Sequence, residues 1–163
     1  MDFLEKMSRR LNQGLLWIAG FLLAVMIVLT CGNIFLRAVW VPIHGTFELM
    51  GYLGAVVTAF ALGYTQIRHG HIAVDIVVLG FPKRLQGVLN GINCILCMAF
   101  FSIIGWQIAE YATNLWRTGE VTETLRIIYF PFTYATALGC FSLALVFLVD
   151  GLQSFLGLGE VKR

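Results

Sequence analysis

Charged residues fall in bunches along this chain, and four long apolar runs lie between the bunches. No Lys, Arg, Asp or Glu occurs at 11–36, 49–67, 85–109 or 127–149. A helix needs about 20 apolar residues to cross a hydrocarbon layer roughly 30 Å thick, and each run approaches or exceeds that length. Inside lipid the backbone amides have no water to bond, so a spanning segment satisfies them internally as a helix. The pattern predicts an all-α integral membrane protein, a single domain over 1–163 with spans at about 15–39, 47–67, 85–109 and 129–149.

The breaks between runs are as informative as the runs. The first is "AVWVPIHGTF" (38–47), where Pro42 and Gly45 supply turn chemistry. The second contains "HIAVDIVVLGFPKR" (71–84), whose apolar part is too short to span. It reads as an interfacial segment at about 72–81, a short helix lying along the membrane surface. Residues 110–128, with Glu110, Arg117, Glu120, Glu123 and Arg126, read as the largest loop. Trp40, Trp106, Tyr111, Trp116 and Tyr129 lie near one predicted boundary, where amphipathic rings settle. In the second run Gly51, Ala55, Ala59 and Gly63 recur every four residues, a small-residue stripe that lets helix backbones approach closely. The stripe leaves open whether its partner is a helix of this chain or of another protein. No internal repeat is evident, so an inverted-repeat carrier finds no support.

Composition agrees with the pattern: 59% of residues are hydrophobic, 12% are charged, and mean hydropathy is +0.84. Charge adds an orientation. Lys6, Arg9, Arg10, Arg68, Lys83, Arg84, Lys162 and Arg163 fall on one side, against Arg37, Arg117 and Arg126 on the other. Positive residues stay inside, so both termini are expected in the cytoplasm. The net charge of +2 thus reflects topology and gives no sign of nucleic-acid binding. The first run is longer than a secretory signal's apolar core and has no small-residue cleavage site, so it reads as a retained anchor.

The chemistry on offer is sparse. A stand-alone carrier or exporter needs ionisable groups at membrane depth, whereas no span here has a charged residue near its middle; the first three offer uncharged Thr30, Asn33, Thr58, Asn93 and Ser102. A haem-binding anchor needs histidines on facing helices, yet His44, His69 and His71 all fall in connections. Both remain as alternative readings. His69 and His71 with Asp75 make a thin ligand set for a metal, and no metal or cofactor is expected in this chain. Arg68, His69 and His71 read as cations at a helix end, where they are electrostatically welcome. The four cysteines lie in spans and read as small packing residues; Cys94 and Cys97 have redox-pair spacing without a second pair. Asn33 and Arg37 share a helix face, and Glu48 opens the next helix across a short turn. An Arg37–Glu48 ion pair is therefore expected to fasten the two helix ends.

These residues also carry a resemblance. "GNIFLRAVW", "GTFELMGYLG", "GHIAVD", "TLRI" and "FPFTYATALG" together resemble the DctQ-like small membrane subunit of tripartite ATP-independent periplasmic (TRAP) transporters. One departure is that "HGTFEL" carries only Glu48 where many relatives have paired carboxylates. The resemblance implies a bacterial inner-membrane subunit with no catalytic or substrate-binding residues of its own. Its implied partners are a large membrane subunit, which binds substrate and sodium ions, a periplasmic substrate-binding protein, and membrane lipids. It implies a non-catalytic scaffold for sodium-driven uptake of small organic acids, carboxylates or sulfonates. Asn33, Arg37, Glu48, Gly51, Ala55, Ala59, Gly63, His71 and Asp75 are then the structural or interface candidates. Trp40, His44, Trp116, Arg117, Glu120 and Glu123 are candidates for docking the periplasmic protein.

Overall fold

The computed structural model describes residues 2–68 and 83–155. Four helices follow in order: α1 (Asp2–Val39), α2 (Thr46–Ile67), α3 (Lys83–Thr118) and α4 (Phe130–Phe155). All four are long and apolar enough to cross a membrane. The chain reverses between α1 and α2 and between α3 and α4 at one end of the bundle, called here the hairpin end. The starts of α1 and α3 and the ends of α2 and α4 share the opposite, terminal end. The expected interfacial segment at 72–81, with His71 and Asp75, lies outside the described residues.

Three expected boundaries need correction, the simplest being that the fourth helix runs on past Val149 to Phe155. The first helix begins well before Leu15, because Ser8, Asn12, Leu15 and Ala19 are all buried at the three- and four-residue spacing of one helix face. Arg9 and Arg10 sit on the exposed side of that helix, and Arg9 pairs with Glu5 at 2.9 Å. The third helix runs on to Thr118, so most of the expected 110–118 loop is helical. Ala112 and Leu115 continue its buried face while Tyr111 and Trp116 point outward. Gly119, at φ +67, stops it by donating its N–H to the Leu115 carbonyl at 3.0 Å.

Helix α4 is the hub, with α1, α2 and α3 all packed against it. Half of its most apolar stretch is buried, against 6% for α3, which packs substantially on α4 alone. The α2–α4 contact is close because Gly139 faces Ala59: a Cβ at 139 would stand 2.7 Å from the Ala59 backbone. Leu15 and Ala19 of α1 meet Val56 and Phe60 of α2 in an apolar core, with Phe132 and Ala135 of α4 against it. Phe101 of α3 stacks on Phe147 of α4 with centroids 6.0 Å apart. Outward faces stay apolar: Trp17, Phe21 and Val28 on α1, and Phe100, Ile103 and Trp106 on α3, are all exposed.

Candidate functional site

The hairpin end brings distant residues together. In the α1–α2 turn, the Asn33 side chain accepts the Ile43 N–H at 2.8 Å, and the Thr46 hydroxyl donates to the Ile43 carbonyl at 2.8 Å. Gly45 precedes α2 at φ +76, a left-handed conformation that suits glycine. Room matters there as well, since a Cβ at 45 would collide with the Leu125 side chain.

Leu125 belongs to the second connection, residues 119–129, which folds back on itself. Val121 and Ile128 form an antiparallel bridge, and Thr122 donates its N–H to the Ile127 carbonyl at 3.0 Å. Thr122 also accepts the Arg126 N–H on its carbonyl and the Ile127 N–H on its hydroxyl, at 3.1 and 3.2 Å. Arg126 sits at φ +51, an uncommon place for a residue with a side chain. The tightened turn leaves the N–H groups of Thr124 and Leu125 pointing outward, a concavity suited to an anion. Glu48 fills it: one carboxylate oxygen accepts from Thr124 at 2.8 Å and the other from Leu125 at 3.3 Å.

The expected Arg37–Glu48 pair is therefore corrected. Both Glu48 oxygens are committed to the second connection, and the Glu5–Arg9 pair is the ion pair found among the described residues. Asn33 turns to the Ile43 backbone, and Arg37 stays exposed in the last turn of α1.

Beneath this clamp, Tyr52 of α2 stacks on Tyr129 and Phe132, with centroids 5.2 and 5.9 Å away. Tyr129 donates its hydroxyl to Glu120 at 3.0 Å. Burial first, and that bond second, raise the Tyr129 hydroxyl above the ordinary phenol range, so it remains a donor at neutral pH. The cleft between these groups has only about 10 Å³ of free space, too little for a solute. Trp40, His44, Trp116, Arg117, Glu120 and Glu123 are all exposed around it.

The small-residue stripe of α2 divides. Ala59 and Gly63 are buried against this chain's own α4 and α1, whereas Gly51 and Ala55 are exposed with open space beside Gly51. At the terminal end a polar node went unforeseen. Asn12 is fully buried; it donates to the Ser8 carbonyl at 3.0 Å and accepts from the Ser142 hydroxyl at 2.9 Å. Gly63 leaves room for the Asn12 side chain. Gln66 donates to Asp150 and Gln153 to Glu5, both at 3.2 Å. The run Ser8, Asn12, Leu15, Ala19 was the cue, visible once the basic residues beside it are set on the outer face. Among the described residues no cluster of three His, Cys, Asp or Glu is placed to hold a metal.

Comparison with protein families matches residues 26–157 to the DctQ component of tripartite ATP-independent periplasmic transporters. The chain belongs to the DctQ family. It is a multi-pass membrane protein and a component of a TRAP transporter. Comparison with curated proteins and with solved structures finds no match. The DctQ match starts within α1, so Ser8 and Asn12 precede it, while their neighbours Gly63 and Ser142, and Asn33, Glu48 and the 119–129 connection, lie inside it.

Proposed function

We propose that this DctQ subunit is a non-catalytic scaffold of a sodium-driven TRAP uptake system for small organic acids in a bacterial inner membrane. It braces a large transport subunit, and both of its termini face the cytoplasm, so the hairpin end faces the periplasm. The observation that carries this reading is the uneven packing around α4. The chain's own helices cover α4, while α1 and α3 keep long apolar faces for a neighbouring subunit or lipid. The positive-inside bias supports the orientation. The substrate class and the sodium ions come from the resemblance and belong to the partners.

On this reading the clamped hairpin end receives the periplasmic binding protein. Trp40, His44, Trp116, Arg117, Glu120 and Glu123 supply exposed contacts there, and Gly51 and Ala55 are free to meet the large subunit. Reconstitution tests it. Uptake is expected only when the large subunit and the binding protein are both present, and Gly51→Leu is expected to weaken co-purification with the large subunit. Solute accumulation by this chain alone would favour a stand-alone carrier, and a haem absorbance band would favour an anchor.

A further inference from the structure

Glu48 opens α2, where any carboxylate is electrostatically welcome, so its presence alone calls for no explanation. Its direction does. The side chain reaches across 76 and 77 residues of sequence to take two successive backbone N–H groups of the 119–129 connection. Other contacts meet there too: Leu125 lies against Gly45, Tyr52 stacks on Tyr129, and the Thr122 and Thr124 hydroxyls also act on the Glu48 carboxylate. Among these the two amide bonds are the directional ones. The bonds within the connection, those of Thr122 and the one from Tyr129 to Glu120, shape it without reaching the first connection. The seat is tight, with about 10 Å³ free among Glu48, Leu49, Tyr52, Thr122, Leu125 and Tyr129.

We propose that Glu48 is a positioning residue for binding-protein docking: by filling the Thr124–Leu125 amide concavity it locks the two connections into one rigid external surface. This rests on the reading that the hairpin end docks the periplasmic component. The consequence is mechanical. The exposed groups of the second connection, Glu120, Glu123 and Arg126, and those of the first, Trp40 and His44, are held in one register. A soluble partner then meets a preformed surface and spends no binding energy on ordering it. An unclamped hairpin would weaken docking and leave the transport step untouched.

Two measurements test it, one without a partner. In lipid nanodiscs, hydrogen exchange at the Thr124 and Leu125 amides is expected to accelerate at least about tenfold in Glu48→Ala, with mid-span amides unchanged. In the reconstituted three-component transporter, Glu48→Ala is expected to raise the half-saturating concentration of the cognate binding protein about tenfold at constant maximal uptake. Glu48→Gln, which keeps the volume and one acceptor oxygen, should fall between and serves if the alanine variant fails to assemble. Joining the segments by oxidising Glu48→Cys with Thr124→Cys should return half-saturation to the native value, because position rather than charge is what matters. Unchanged amide exchange, or a lower maximal rate at unchanged half-saturation, would overturn the proposal. Glu123→Lys separates it from the docking reading. If that exposed charge reversal leaves half-saturation unchanged while Glu48→Ala still frees the amides, docking lies elsewhere and Glu48 merely fastens a loop.

Discussion

The two ends of the bundle are fastened by different means. At the terminal end, side chains bond to side chains between helices: Asn12 with Ser142, Gln66 with Asp150, Gln153 with Glu5. At the hairpin end, side chains hold connection backbone: Glu48 takes two amides of the second connection and Asn33 one of the first, beside a hydroxyl-to-hydroxyl bond between Thr113 of α3 and Tyr134 of α4. The first device sits among packed helices, where an unpaired polar group is costly. The second sits at the rim, where water is ready to replace a lost bond. Changes at the terminal end should therefore loosen the whole molecule, and changes at the hairpin end only the local surface.

Gly63→Leu offers the largest effect. Its side chain would enter space that Asn12 occupies, so a loss of about 3 kcal/mol is expected, measurable by steric trapping of the unfolded form in bicelles. Gly51→Leu on the same helix should change the isolated chain's stability by less than about 0.5 kcal/mol. Equal costs at 51 and 63 would erase the distinction between the two halves of the stripe. Next comes Asn12→Ala, which strands the Ser142 hydroxyl and should cost about 1–2 kcal/mol. A double-mutant cycle with Ser142→Ala is expected to recover about 0.6 kcal/mol of coupling; zero coupling would remove the bond from the account.

Gly45→Ala brings the comparison to the other end. It combines an unfavourable φ with a collision against Leu125. Proteolytic nicking between 119 and 129 should rise several-fold, while global stability moves by less than about 1 kcal/mol. A global collapse would mean that the hairpin end is not local. The smallest effect concerns pH. Because the folded state raises the Tyr129 hydroxyl, its contribution is fully present below the unfolded phenol value of about 10 and fades as pH climbs through the higher folded value. The difference between wild type and Tyr129→Phe in hairpin protection should accordingly stay flat from neutrality to about pH 10 and shrink only in stronger alkali.

What the sequence disclosed follows from the range over which each signal acts. The apolar runs mark all four helices. Helix α1 was cut short because charge was read as an ending, although a helix can carry Lys6, Arg9 and Arg10 outward while Ser8 and Asn12 face inward. Glu110 misled in the same way on α3; Gly119, the actual stop, was in plain view. Glu48 drew attention through its place in the turn, but its partner was assigned by nearness along the chain. Its true partners are backbone amides, which carry no residue signature, at a separation no local pattern reports.

The central place of α4 also bears on how the molecule comes into being. A chain is made from its N-terminus, so the helix that unites the others is synthesised after the three that it unites. Until then α1 and α2 can join through Leu15, Ala19, Val56 and Phe60, but α3 enters the bilayer without its main partner. Gly105, which accommodates the Phe141 ring, waits beside lipid during that interval. Losing the final helix through a premature stop would thus leave a paired α1–α2 and an unattached α3, a natural substrate for membrane quality control.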